Sequence, residues 1–170
     1  FLLGDIKMLQ NLFKTVIALL LVAGCATDEV KDADVNANDS NVATQDLNFD
    51  SMGSDSGNIA GLTTVNFGYD QATITASARA ELNQNAEWIN NNPNVTVQIE
   101  GHCDARGSIE YNLALGERRA RAVKDYLVSQ GVDGSRLSII SYGKEKLLDS
   151  SDSESAHMKN RRANFVPLAK

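Results

Sequence analysis

Residues 101–130 read GHCDARGSIEYNLALGERRARAVKDYLVSQ, and the fold turns on this stretch. From residue 108 onward its apolar side chains recur at helical spacing. At about 100° per residue, one arc gathers Asn112, Leu115, Gly116, Arg119, Ala120, Val123, Tyr126 and Leu127. The opposite arc holds Glu117, Arg118, Arg121, Lys124, Asp125 and Val128. Ser108 can cap the start of this helix and Gly131 can end it. Arg119 is thereby turned toward the apolar side, whereas its neighbours Arg118 and Arg121 face water. Arginine does not shed its charge, and a guanidinium taken out of water needs anions or acceptors around its donors. An acidic group is therefore expected beside Arg119, either Asp104 in the turn leading into the helix or a ligand carboxylate in the same place.

On either side of this helix, strand and helix signals alternate. Residues 63–67 are rich in β-formers, and Thr75 can cap a helix over residues 76–91 that stops before Pro93. Val95-Thr96-Val97-Gln98-Ile99-Glu100 alternates apolar and polar side chains, as a strand with one buried face does. Residues 137–142 and 163–167 supply two more strands. The order is β-α-β-α-β, a short irregular or helical passage, then β. This predicts an α/β sandwich with helices packed on one face of a small mixed sheet.

The 170 residues carry a formal net charge of −6, unevenly placed. Residues 26–58 hold eight carboxylates against Lys31 alone, whereas residues 59–170 hold thirteen acidic and thirteen basic side chains. No basic field is present to hold a nucleic acid backbone. The acidic stretch is rich in Asp, Asn, Ser and Thr and poor in large apolar groups, so it reads as a flexible tether. About 35 such residues have a coil dimension of roughly 30 Å and a contour limit of roughly 115 Å. Ahead of it, Lys14, the apolar run 16–22 and Val22-Ala23-Gly24-Cys25 read as an export signal with a lipid attachment site. The apolar run is well short of the roughly 20 residues that span a bilayer. Met8 is the expected start, residues 1–24 the signal, 25–58 the lipidated cysteine and tether, and 59–170 the folded domain.

Several ordered motifs carry a resemblance over residues 63–167. They are Gly101-His102-Cys103-Asp104-Ala105-Arg106-Gly107, Glu110-Tyr111-Asn112-Leu113-Ala114-Leu115-Gly116-Glu117-Arg118-Arg119-Ala120, Ser141-Tyr142-Gly143-Lys144-Glu145-Lys146 and Asn160-Arg161-Arg162-Ala163. Together they resemble the OmpA-like peptidoglycan-binding domain, and within it the peptidoglycan-associated lipoprotein (Pal) family. The resemblance implies a β-α-β-α-β-β fold and noncovalent binding of the diaminopimelate of peptidoglycan stem peptides, with no cofactor, no metal and no catalysis. On matching positions, Asp104 takes the ligand ammonium and Arg119 its carboxylate through two parallel hydrogen bonds. Tyr69, Asp70, Leu115 and Arg106 match other pocket positions, while Asn112 and Gly116 support them, Asn112 by tying the preceding loop. The helix entrance over residues 105–108 adds backbone N–H groups that favour an anion. Arg161 and Arg162 read instead as structural or surface pairs.

The resemblance further implies an outer-membrane lipoprotein anchored through several acyl chains on Cys25 and facing the periplasm, with peptidoglycan and the Tol proteins as partners in envelope integrity and cell division. Ala26, in place of an aspartate that favours inner-membrane retention, points to the outer membrane. The sequence departs from the family at Cys103, where threonine is usual, at Ala105, where an acidic residue is frequent, and in the Ser/Asp-rich loop 147–159. Two alternatives stand beside this reading. One is another OmpA-like wall anchor outside the Tol-Pal system. The other is a lipid-anchored wall hydrolase or transpeptidase using Cys103, although adjacent residues on an extended strand point to opposite sides, which separates Cys103 from His102. A metal site on His102, Cys103 and His157 lacks the four ligands of structural zinc.

Overall fold

The structure, a computed structural model, describes residues 50–169. The expected export signal, Cys25 and most of the acidic stretch lie outside the described residues. The chain runs through β1 (Val65–Asn66), α1 (Ala76–Asn91), β2 (Val95–His102), α2 (Ile109–Ser129), β3 (Leu137–Gly143), α3 (Glu154–Asn160) and β4 (Arg162–Ala169). Short 3-10 turns occupy Gly53–Ser56 and Gly134–Arg136. The caps act as the sequence predicts: Thr75 accepts from Ala78 N and Ser108 from Tyr111 N. Ser153 caps α3 in the same way, through Ala156 N.

The four strands form one mixed sheet in the order β1-β4-β2-β3, with β2 and β3 parallel and β4 antiparallel to both β1 and β2. The α/β arrangement expected from the sequence is thus present. Alternation along β2 decides its faces. Val95, Val97 and Ile99 join Leu137, Ala163 and Phe165 in a core closed by Leu82, Ala86 and Ile89 of α1 and Ala120, Val123 and Leu127 of α2. Strand β1 is shorter than residues 63–67 because the Asn85 side chain of α1 takes both backbone groups of Thr63, at 2.8 and 2.7 Å. Helix α2 and strand β2 approach without side chains between them. A Cβ on Gly101 would lie 1.9 Å from the Gly116 carbonyl oxygen, and one on Gly116 would lie 2.8 Å from that of Gly101.

The domain begins earlier than the composition predicts. Residues 50–57, assigned by their polarity to the tether, are laid against β4. Gly53 has φ +61°, and a Cβ there would stand 2.3 Å from the Phe165 carbonyl oxygen. Ser54 Oγ donates to Asn164 Oδ1 at 2.9 Å and accepts from Phe165 N at 3.0 Å. Asp55 pairs with Arg162 at 2.8 Å, both side chains buried. The polar groups that made this segment look solvated are satisfied by equally polar groups on the far face of the sheet, a match that hydropathy does not reveal. On the same face the Glu100 carboxylate accepts from Asn164 Nδ2 at 2.9 Å and lies 3.4 Å from His102 Nε2.

Candidate functional site

The carboxyl ends of β1 and β2 and the first turns of α2 enclose a cavity of about 260 Å3. All six residues expected to hold a ligand line it: Tyr69, Asp70, Asp104, Arg106, Leu115 and Arg119. Asn112 also reaches it, and its Nδ2 donates to Arg106 O at 2.7 Å and Ser108 O at 2.9 Å, so it ties the loop ahead of the helix. Gly116 does not line the cavity. Its part is the close approach to β2, which fixes the distance between the strand end carrying Asp104 and the helix carrying Arg119.

Arg119 is fully buried, at 0% exposure, as its place on the helical arc requires. Its partners differ from the expectation of an acidic companion. Nε donates to Gln71 O at 2.8 Å, Nη1 to His102 O at 2.7 Å and Nη2 to Gly68 O at 3.0 Å. Nη1 also lies 3.5 Å from Cys103 Sγ, and the guanidinium sits 5.2 Å from the centroid of the Phe67 ring. Carbonyl dipoles at a strand end and around the 68–71 turn satisfy the charge without the desolvation of a second ion. Burial still pulls the Arg119 guanidinium below its ordinary value. One Nη2 N–H is left for a ligand, so the two parallel bonds expected to a carboxylate cannot both form in this state.

Asp104 turns instead to two other arginines. Arg106 Nη2 lies 2.5 Å from Oδ2 and Arg106 Nε 3.3 Å from Oδ1, while Arg161 Nη1 donates to Oδ2 at 3.2 Å. Burial pushes the Asp104 carboxyl up, but the hydrogen bonds from Arg106 and Arg161 outweigh it and hold the group below the ordinary carboxylate range. Asp104 Oδ1 also accepts from Arg106 N at 3.2 Å, and Ser108 Oγ takes Tyr111 N. These two backbone donors at the helix entrance are therefore engaged within the protein, the first by the Asp104 carboxylate, rather than by a ligand anion. Arg106 is half-exposed and packs its guanidinium 4.2 Å from the centroid of Tyr69, a ring that is 61% exposed at the cavity mouth. Leu115 supplies the buried apolar wall.

Two residues join the site that the sequence reading did not place there. Arg161 is buried and ties Asp104, Glu154 Oε1 at 3.0 Å and Phe67 O at 3.1 Å together. Its neighbour Arg162 points to the opposite face of the sheet and pairs with Asp55. Arg161 caps the C-terminal end of α3 and Arg162 opens β4, so the two side chains leave the backbone in different directions. Tyr111 lines the cavity and its hydroxyl donates to Asp70 Oδ1. It lies four residues before Leu115 and eight before Arg119, a spacing that puts the three on one stripe.

Cys103 is buried, with Sγ 3.3 Å from Asn112 O, and burial pushes its thiol up. The His102 ring lies on the other face of β2, against Glu100 and stacked 5.6 Å from Tyr142. Among the described residues no group of His, Cys, Asp and Glu could hold a metal ion. The cavity is thus an array of three guanidinium groups and two carboxylates with an aromatic and an aliphatic wall. It is suited to a small ligand bearing both charges.

Known proteins share this chain's pattern. Residues 66–161 match the OmpA family. The peptidoglycan-associated lipoprotein of Mesorhizobium japonicum is 41% identical over 156 residues, which cover 87% of this chain and 86% of that one. That of Rhizobium meliloti is 53% identical over 100 residues, 59% of this chain, and the match spans 57% of the relative's length. Among solved structures, the peptidoglycan-associated lipoprotein from Burkholderia pseudomallei superposes with a TM-score of 0.60 at 36% identity, over 62% of this chain and 89% of that chain. The C-terminal domain of Helicobacter pylori MotB shares the fold, with a TM-score of 0.61 at 24% identity over 65% of this chain and 87% of that one. By sequence and by fold, the chain belongs to the OmpA family, among the peptidoglycan-associated lipoproteins.

Proposed function

We propose that this protein ties the outer membrane to peptidoglycan by holding the diaminopimelate of stem peptides, noncovalently, in the cavity beside Arg119. The carrying observation is the convergence of Asp70, Asp104, Arg106, Arg119 and Arg161 on one small cleft walled by Tyr69 and Leu115. Two carboxylates and three guanidiniums complement the ammonium and carboxylate of a zwitterionic side chain, which neither an uncharged sugar nor a polyanion matches. The names of the relatives support wall association. In this reading acyl chains on Cys25 hold the membrane end at the periplasmic face, and the acidic stretch after Cys25 spans the gap. Since several acyl chains hold far longer than one, the anchor is durable. Tol proteins of the periplasm are partners that the family kinship brings with it.

Catalysis through Cys103 has no support in the geometry. The thiol is buried, burial disfavours the thiolate, and the neighbouring imidazole faces away across the strand. Incubating the full chain with purified peptidoglycan sacculi and then pelleting them tests both readings. The protein is expected in the pellet with no soluble fragments released; turnover lost in Cys103→Ala would replace the anchor with an enzyme. Arg119→Ala is expected to reduce pelleting at least about tenfold, and Arg118→Ala to leave it unchanged. Because Arg119 also clamps three carbonyls, circular dichroism accompanies that variant. Asp70→Asn, at an exposed residue, provides a loss of binding without a change of fold. Equal pelleting by all four proteins would remove the pocket from the mechanism.

A further inference from the structure

We propose that Tyr111 is a positioning residue of this pocket, its hydroxyl locking the Asp70 carboxylate so that the second oxygen, Oδ2, is presented to a ligand ammonium group. The proposal rests on the reading of the cavity as a site for a zwitterionic stem-peptide residue, and it adds the group that decides how the ammonium end is met.

Asp70 is the one non-glycine residue with positive φ among the described residues, at 54°. Aspartate tolerates that conformation better than most residues, but it persists only where its surroundings fix it. Here both ends of the turn are fixed from α2: Arg119 donates to the carbonyls of Gly68 and Gln71. What those clamps leave undetermined is the direction of the Asp70 side chain in the middle of the turn. The Tyr111 hydroxyl determines it by donating to Oδ1. The same bond raises the Tyr111 phenol above its ordinary value, which favours the tyrosine as the donor. Burial is not the reason for this ring, which is 46% exposed.

The second carboxylate makes the arrangement consequential. Both oxygens of Asp104 are held by Arg106 and Arg161, so an ammonium reaching Asp104 must displace an ion pair. Oδ2 of Asp70 can be met without breaking one. Tyr111 therefore sets the first contact for a positive group entering the cleft.

The test measures binding of the full chain to two synthetic tetrapeptide stems, one with meso-diaminopimelate and one with its side-chain amine acetylated. Tyr111→Phe is expected to weaken binding of the first about tenfold, the worth of a hydrogen bond to a charged group, and to leave the second unchanged. Asp70→Asn is expected to do the same, and the double variant no more than either alone. Tyr126→Phe removes a tyrosine hydroxyl bonded to Asn83 elsewhere on the helices and is expected to match the wild type. Tyr111→Phe binding like wild type, or losing both peptides equally, would overturn the proposal. Wild-type protein that binds neither peptide would overturn the reading of the pocket itself, and the lock with it.

Discussion

Arg119 shows what one residue's environment can and cannot disclose in advance. Its helical position was legible from periodicity, and with it the burial of a permanent charge. The identity of its partners was not, because the carbonyls of Gly68, Gln71 and His102 belong to a turn and a strand end that come together only in the folded chain. The same limit hid Arg161, whose partner Asp104 lies 57 positions away. His102, on the far face of β2, and Asp104, in the site, both shape how stability responds to acid. Burial holds His102 below its ordinary value of 6.5, so protonation favours the unfolded chain. Its contribution is complete above pH 6.5 and is lost as pH falls toward the depressed folded value. Asp104 sits below its ordinary 3.8, so its contribution is complete above that pH and disappears only as pH falls further. Urea midpoints are expected to fall in two stages, one below pH 6.5 and one below pH 4.5, where first Glu100, also held below its ordinary value, and then Asp104 take up protons. Midpoints that stay level between pH 7.5 and 5 would mean, against this expectation, that His102 accepts its proton without cost to the fold.

At the scale of elements, the two long helices and the three longer strands are readable from period and caps, and their ends shift by only a residue or two; α3, by contrast, lies within a Ser/Asp-rich stretch that reads as a loop or a short irregular or helical passage. The extent of the short β1 is not readable, since Asn85 intercepts the backbone of Thr63 and competes with strand pairing. Gly116, expected to support the site, stands at the close approach of α2 to β2. Gly101→Ala tests that contact more severely, because its Cβ would meet the Gly116 carbonyl at 1.9 Å and the backbone cannot swing aside as a side chain can. It is expected to destabilise the protein by about 3 kcal/mol, the upper end for overpacking, and to weaken stem-peptide binding by parting Asp104 from the α2 wall. Denaturant titration reads the first effect and peptide titration the second. A variant as stable as wild type would show that helix and strand separate at little cost.

For the whole molecule, the fold class followed from the alternation of elements, whereas the amino-terminal limit of the domain did not follow from composition. A segment rich in Asp, Ser and Gly reads as solvated unless its polar partners on β4 are known. Asp55→Ala is expected to cost about 3 kcal/mol, because it strands the buried Arg162 guanidinium. The cavity on the opposite side of the sheet is expected to keep its peptide affinity. Chemical denaturation alongside peptide binding checks both, and an unchanged midpoint would return this segment to the tether. The position of that segment also has a mechanical consequence. Any pull arriving along the chain from before Asp50 is delivered first to the bonds of Met52, Ser54 and Asp55 with β4, an interior strand flanked by β1 and β2. The force must break these short fastenings before it can unzip a strand, so they form a sacrificial link ahead of the sheet.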